Sequence, residues 1–177
     1  MIRDIKVGDI TDPHNTSNII FGMNSTLEDV NGVPSEFAKT VKLAGKPLQL
    51  GSVLNFQFDD DRMIHLIICH NIGQGGWDNS EKWVRLGMDY LWQAQQTEDH
   101  MFYCSSFSSV QIGTGEIGRR DGARPQDIRT AMATSFLNVT LFVRDEQIAV
   151  PVRTKWGLQP VSAWYPMRGE QKFAYVT

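Results

Sequence analysis

No stretch of the roughly 18 apolar residues that a membrane helix requires occurs in this 177-residue chain, so none of it is expected to span a bilayer. Cysteine is almost missing: Cys69 and Cys104 are the whole supply. Both sit in apolar runs, so buried free thiols are expected rather than a disulfide framework or a catalytic thiol, and a reducing cytoplasm fits. No apolar leader is expected either, because the opening MIRDIKVGDIT is charged and lacks a signal-peptide core. There is no excess of positive charge. Lys and Arg number 17 against 20 Asp and Glu, a net charge of −3, which argues against broad binding to nucleic acid or a membrane surface and leaves only a local basic patch open. Repeats and low-complexity segments are also lacking. What is present is 41% hydrophobic and 21% charged residues, the balance of one soluble globular domain with a sizeable core.

Apolar periodicity marks the elements. RDIKVGDI alternates as a strand does, and SNIIFGMN reads as a short buried strand. PSEFAKTVKLAG places Phe37, Ala38, Val41 and Ala44 on one helical face, with Pro34 at its start and Gly45 as a stop. GSVLNFQF and MIHLIICH are strands around the acidic turn DDDR. DNSEKWVRLGMDYLWQAQ predicts a helix with a capping box of Asp78 and Glu81 and a stripe of Trp83, Leu86, Tyr90 and Ala94. HMFYCSSFSSV is a strand entering a glycine-rich loop. PQDIRTAMATSFL is a helix with Ile128, Ala131, Met132, Ser135 and Phe136 on one face, and VTLFVRD is a further strand. Alternating strands and helices imply an α/β sandwich with a mostly parallel sheet, whose ligands sit beyond the carboxyl ends of the strands. Residues 147–177 hold Pro151, Pro160, Pro166, Trp156 and Trp164, with strand-like pieces such as KFAYVT. They read as a C-terminal extension packed on the core of a single domain covering residues 1–177.

Gly113, Thr114, Gly115, Glu116, Ile117 and Gly118 spell a literal G-x-G-x-x-G. A dinucleotide-binding loop needs the first strand of its unit and a helix beginning inside the motif, so that pyrophosphate sits on that helix N-terminus. Here RRDGAR separates the motif from Pro125, where the next helix is expected to open, and the motif follows a late strand. The stretch is therefore expected to be a different loop, either a nest of backbone N–H groups for an anion or a plain glycine-rich turn.

The loop belongs to an ordered set: VGDIT, then FGMNSTL, then VNGVPSEFAK, then LIICHNIGQGGW, then VQIGTGEIG. Over about residues 5 to 145 this order and spacing resemble the macrodomain family of ADP-ribose-binding modules. The family pattern runs G-D-I-T, V-N-A-A-N-x-x-L, G-G-G-V, V-I-H-x-V-G-P and P-x-I-G-x-G-x-[FY]-G. The resemblance implies a three-layer α/β/α sandwich around a mixed, mostly parallel sheet. It also assigns ligand-binding roles. Asp9, with Ile10 after it, would accept a hydrogen bond from the adenine amino group, though an Asp there can equally cap a turn. Asn24 takes the place of the second Asn near the distal ribose, while Phe21 replaces the first; Asn24 also suits a satisfied turn residue. Asn31, Gly32 and Val33 stand for the first phosphate loop, with two family glycines missing, and Gly113 to Gly118 for the second. His70 fits a structural role through its backbone bonds. Arg119, Arg120 and Arg124 either grip phosphate and offset Glu116 or form a solvated basic loop.

Three functions remain open on this reading. The first is a binder of ADP-ribose or a related adenosine-diphosphate nucleotide. The second is an ADP-ribosyl or ADP-ribose-phosphate hydrolase, for which Asn24, Glu116 and Asp121 are the candidate catalytic residues near the distal ribose. The third is a divergent fold with another ligand or an interaction role. The partner is ADP-ribose or an ADP-ribosylated substrate, with nucleic acid expected only as a modified substrate. No cofactor or metal is implied, and the sequence leaves the oligomeric state open.

Overall fold

A computed structural model describes residues 1–28, 47–59, 61–97, 106–143, 159–167 and 169–171. The helix expected at Pro34–Gly45, the Asn31–Val33 loop, Cys104 and the KFAYVT segment lie outside the described residues. Eight strands form one sheet: β1 (Ile2–Val7), β2 (Asn18–Asn24), β3 (Val53–Gln57), β4 (Met63–His70), β5 (Phe107–Val110), β6 (Val139–Val143), β7 (Gln159–Tyr165) and β8 (Gly169–Gln171). Their spatial order is β1-β6-β5-β2-β4-β3-β7-β8. The first five in that order run parallel. β3, β7 and β8 continue antiparallel from β4. The sheet is thus mixed and mostly parallel, as the alternation of elements implies.

The central strands β2 and β4 read as near-continuous apolar runs because both of their faces are covered. Successive side chains point to opposite faces. Ile20, Ile67 and Cys69 join Val84, Met88, Leu91, Ile128 and Met132 in the core beneath the helices. Ile19, Phe21, Met23, Ile64, Leu66 and Ile68 join Ile10, Leu27, Leu54 and Phe56 on the other face. Each fully buried side chain of this kind contributes roughly 1.5–3 kcal/mol, so this doubly covered centre holds much of the core of the described residues.

Helix α1 (Ser80–Gln96) buries Val84, Gly87, Met88, Tyr90, Leu91 and Ala94. The expected stripe is therefore rotated: Trp83 and Leu86 are only half-buried. Gly87 causes the rotation. A Cβ there would lie 2.7 Å from Ile67 Cγ2, so the missing side chain lets the helix pack closely on Ile67, with Val84, Met88 and Leu91 turned inward. The capping box does not form either. Asn79 occupies the N-cap in a left-handed conformation with no side-chain cap bond, and Ser80 Oγ instead donates to the Trp77 carbonyl at 2.7 Å. A second correction concerns the glycine motif. A short helix, α2 (Glu116–Asp121), begins inside it, so RRD is helical rather than loop. Helix α3 (Pro125–Thr134) opens on Pro125 as expected and buries Ile128, Ala131 and Met132. It stops two residues before the expected face ends. Ser135 is extended, at φ −71° and ψ 151°, which leaves Phe136 72% exposed.

The described part of the C-terminal extension widens the sheet. β7 pairs with β3 from Gln159 opposite Gln57 to Trp164 opposite Val53. Asn55 Nδ2 donates to Ser162 Oγ at 3.0 Å and to the Tyr90 hydroxyl at 3.3 Å, and His65 Nδ1 lies 2.7 Å from Asn55 Oδ1. Trp164 stacks on Tyr90 with ring centroids 4.5 Å apart. A buried polar chain thus ties β3, β4, β7 and α1.

Candidate functional site

Because β1, β2, β4, β5 and β6 run parallel, their carboxyl ends share one edge of the sheet. Chain order also departs in opposite directions from β2, to β4 on one side and β5 on the other. Such a switch point leaves a crevice outside the strand ends where α/β sheets take their ligands. The loops after β1, β2, β4 and β5 meet there, so Asp9, Asn24, His70 and the Gly113–Gly118 stretch come to one edge although they are spread over a hundred positions of sequence. Asn31, Gly32 and Val33 lie outside the described residues.

After β1, Asp9 accepts the Thr11 N–H at 2.9 Å and the Thr11 hydroxyl at 2.7 Å, both on Oδ1. The Asp12 N–H closes the turn on the Asp9 carbonyl at 3.1 Å. Asp9 is half-buried, and Ile10 beside it is buried in the core. One carboxylate oxygen therefore organises the turn, the geometry of an Asx turn.

After β2, Asn24 is 2% exposed. Its Oδ1 accepts from Thr26 N at 3.1 Å, Thr26 Oγ1 at 3.0 Å and Glu28 N at 3.2 Å. Its Nδ2 donates to the Glu28 carbonyl. These bonds hold Leu27 at φ 57°, a left-handed conformation that is costly for a leucine. The side chain that sequence placed near the distal ribose is thus fully engaged in its own turn. Ser25 Oγ, next to it, reaches Asn71 Oδ1 at 2.5 Å and links this loop to the one after β4.

After β4 comes His70, whose ring stacks on Trp77 at 3.8 Å and 10°. Its Nδ1 lies 3.2 Å from the Asn71 carbonyl. Burial pushes its pKa down to about 4, against the smaller upward pull of the Asp121 carboxylate, so the ring is neutral near pH 7. Gly73 in the same loop donates its N–H to Asp121 Oδ2 at 3.1 Å. Asp121 also accepts from Arg120 Nε at 2.8 Å and Arg120 Nη2 at 3.0 Å. The Arg120 guanidinium holds its carboxyl down at about 2. Asp121 is buried and functions as a strap between two loops of the cleft.

After β5, Ile112 lies over Gly22 of β2. A Cβ on Gly22 would fall 2.8 Å from Ile112 Cγ2, so the missing side chain in β2 admits the loop. Gly118 packs back on the start of the loop, where a Cβ would sit 2.4 Å from the Gly113 carbonyl oxygen. These two close approaches bend the chain so that Thr114, Gly115 and Glu116 face solvent. A Cβ on Gly115 would meet nothing within 4 Å. The first turn of α2 leaves the N–H groups of Glu116, Ile117 and Gly118 without intrahelical partners; the first helical bond runs from Arg119 N to the Gly115 carbonyl. Glu116 and Arg119 are exposed and Ile117 half-buried. These backbone donors beside the open position at Gly115 suit an anion. Among the described residues no three His, Cys, Asp or Glu side chains form a group able to hold a metal ion.

Sequence reasoning missed the cross-links Ser25–Asn71 and Gly73–Asp121, because residues so far apart in the chain carry no local signal of meeting. It also missed Arg62, a charged residue buried against the turn that follows Asp9.

No protein-family profile and no curated protein matches the chain. Solved structures do. An Oceanobacillus iheyensis macrodomain mutant aligns at a TM-score of 0.51 with 19% identity, covering 81% of this chain and 84% of that one. Two further structures of a macrodomain from the same organism, one with MES bound and one with ADP, align at 0.48 and 0.47, each with 19% identity over 81% of this chain and 83% of the other. The parallel strands with their shared cleft edge and the first of these alignments agree: this chain has the macrodomain fold.

Proposed function

We propose that the chain binds ADP-ribose or a related adenosine-diphosphate nucleotide in the cleft at the carboxyl ends of its parallel strands. The observation that carries the reading is the first turn of α2, whose Glu116–Gly118 N–H groups lack intrahelical partners, beside the open position at Gly115 on the switch-point edge. A diphosphate is the anion that such a bed of donors accommodates, since several amides can share its charge without a counter-ion. Asp9 supplies a carboxylate on the same edge, and a carboxylate accepts from the exocyclic amine of adenine. The fold supports the reading as architecture only, because one fold hosts many functions.

The candidate catalytic residues favour binding over turnover. Asn24 and Asp121 have their polar atoms engaged in holding loops. Glu116 is exposed at the start of α2, where a carboxylate stabilises the helix N-terminus. Amide resonances read the proposal directly. Titration with ADP-ribose is expected to move the N–H signals of Thr114 to Gly118 and of Asp9. Shifts confined to other regions would place the ligand elsewhere and remove the reading.

A further inference from the structure

Arg62 lies at the start of β4, outside the cleft, yet its guanidinium is committed to the loop that carries Asp9. The side chain is only 7% exposed. Nε donates to Asp59 Oδ2 at 2.7 Å, and Nη2 lies 2.7 Å from the same oxygen. Nη1 reaches three carbonyls: Asn15 at 2.8 Å, Asp12 at 3.1 Å and Thr11 at 3.4 Å. The guanidinium also covers the Phe58 ring at 4.7 Å. Two consecutive turns, Asp9–Asp12 and Asp12–Asn15, thus converge on one planar cation. Asn15 in turn donates from Nδ2 to the Ile10 carbonyl at 2.8 Å.

We infer that Arg62 is a positioning residue for base recognition, an inference that rests on the proposed binding of an adenosine-diphosphate nucleotide. Thr11 links the two ends of the argument. Its carbonyl faces Arg62, and its N–H and hydroxyl both bond Asp9 Oδ1. Any rotation of this turn rotates the Asp9 carboxylate with it. The rigid fork of Arg meets the Asp59 carboxylate and three carbonyls at once, which the single point charge of Lys does not reproduce. Arg62 therefore sets the discrimination between adenine, which presents an amine to Asp9, and a base with an oxo group in that place. It leaves the diphosphate bed untouched, since that bed is built from the loop after β5.

The experiment titrates the full chain with ADP-ribose and with its inosine analogue, in the unsubstituted protein and in Arg62→Met, Arg62→Lys and Asp59→Asn. The unsubstituted protein is expected to prefer ADP-ribose by about tenfold or more, the size of a hydrogen bond to a charged group. The Arg62 variants are expected to lose most of that preference while binding the inosine analogue within about threefold of the unsubstituted protein. Arg62→Lys restores little of it. If Arg62→Met does not fold, Arg62→Lys and Asp59→Asn read the same ratio. A folded variant that keeps the full preference overturns the inference, as does equal loss of both ligands. If the unsubstituted protein binds neither ligand, the binding reading falls first and the inference with it.

Discussion

Asn24 shows how a side chain suited to chemistry is taken up by structure. Its amide closes four bonds around a turn that holds Leu27 in a left-handed conformation. Asn24→Ala leaves two backbone N–H groups without their acceptor, so a loss of about 2–3 kcal/mol is expected, with a fall of roughly 5–10 °C in melting temperature for a chain of this size. A melting curve unchanged by the substitution would contradict this. The two buried histidines carry a pH dependence. Burial lowers His65 from 6.5 to about 3 and His70 from 6.5 to about 4. Below pH 6.5 the unfolded chain takes up protons that the folded one refuses, so stability is fully present above that value and falls as the pH drops toward 4. For the pair the slope approaches about 3 kcal/mol per pH unit. Urea melts between about pH 7.5 and 4.5 measure it, and a midpoint flat across that window would rule the account out.

At the scale of elements, the glycine loop depends on Gly118. A Cβ there meets the Gly113 carbonyl, so Gly118→Ala is expected to displace the loop, cost about 1–3 kcal/mol of stability, and weaken ADP-ribose binding more than tenfold. Calorimetry of a folded Gly118→Ala chain with undiminished affinity would show that the loop is not the phosphate bed. Elements differ in how far the sequence alone discloses them. β2 and β4 were legible because strands covered on both faces are apolar throughout. The rotation of α1 was not, since Gly87 earns its place only against Ile67, a residue of another element. α2 was misread as loop because Arg-Arg-Asp-Gly has no apolar period, and its helix is held by Asp121 bonding Gly73 across the cleft. The end of α3 was overrun because Phe136 continues an apolar pattern in a stretch where the backbone has already turned out.

At the scale of the whole molecule, the ordered motifs carried the fold, and the parallel topology accounts for why such distant motifs converge on one edge. The site was legible as a set of loops and less so as a set of roles. Asp9, Asn24 and Asp121 all hold the loops that bear them, through bonds to Thr11, to Thr26 and Glu28, and to Gly73 and Arg120. Burial and tertiary hydrogen bonds decide such roles, and neither is written in local sequence. β7 and β8 add to the far side of the sheet, next to β3, with four strands between β7 and β6, so this part of the extension buttresses α1 through Tyr90 and Trp164. The measurement that tests the central claim most directly is calorimetric titration of the full chain with ADP-ribose beside AMP and ADP. The account predicts a single site for ADP-ribose near micromolar, worth roughly 8 kcal/mol, with AMP much weaker because it lacks the diphosphate. No heat and no thermal shift with any of the three would contradict it.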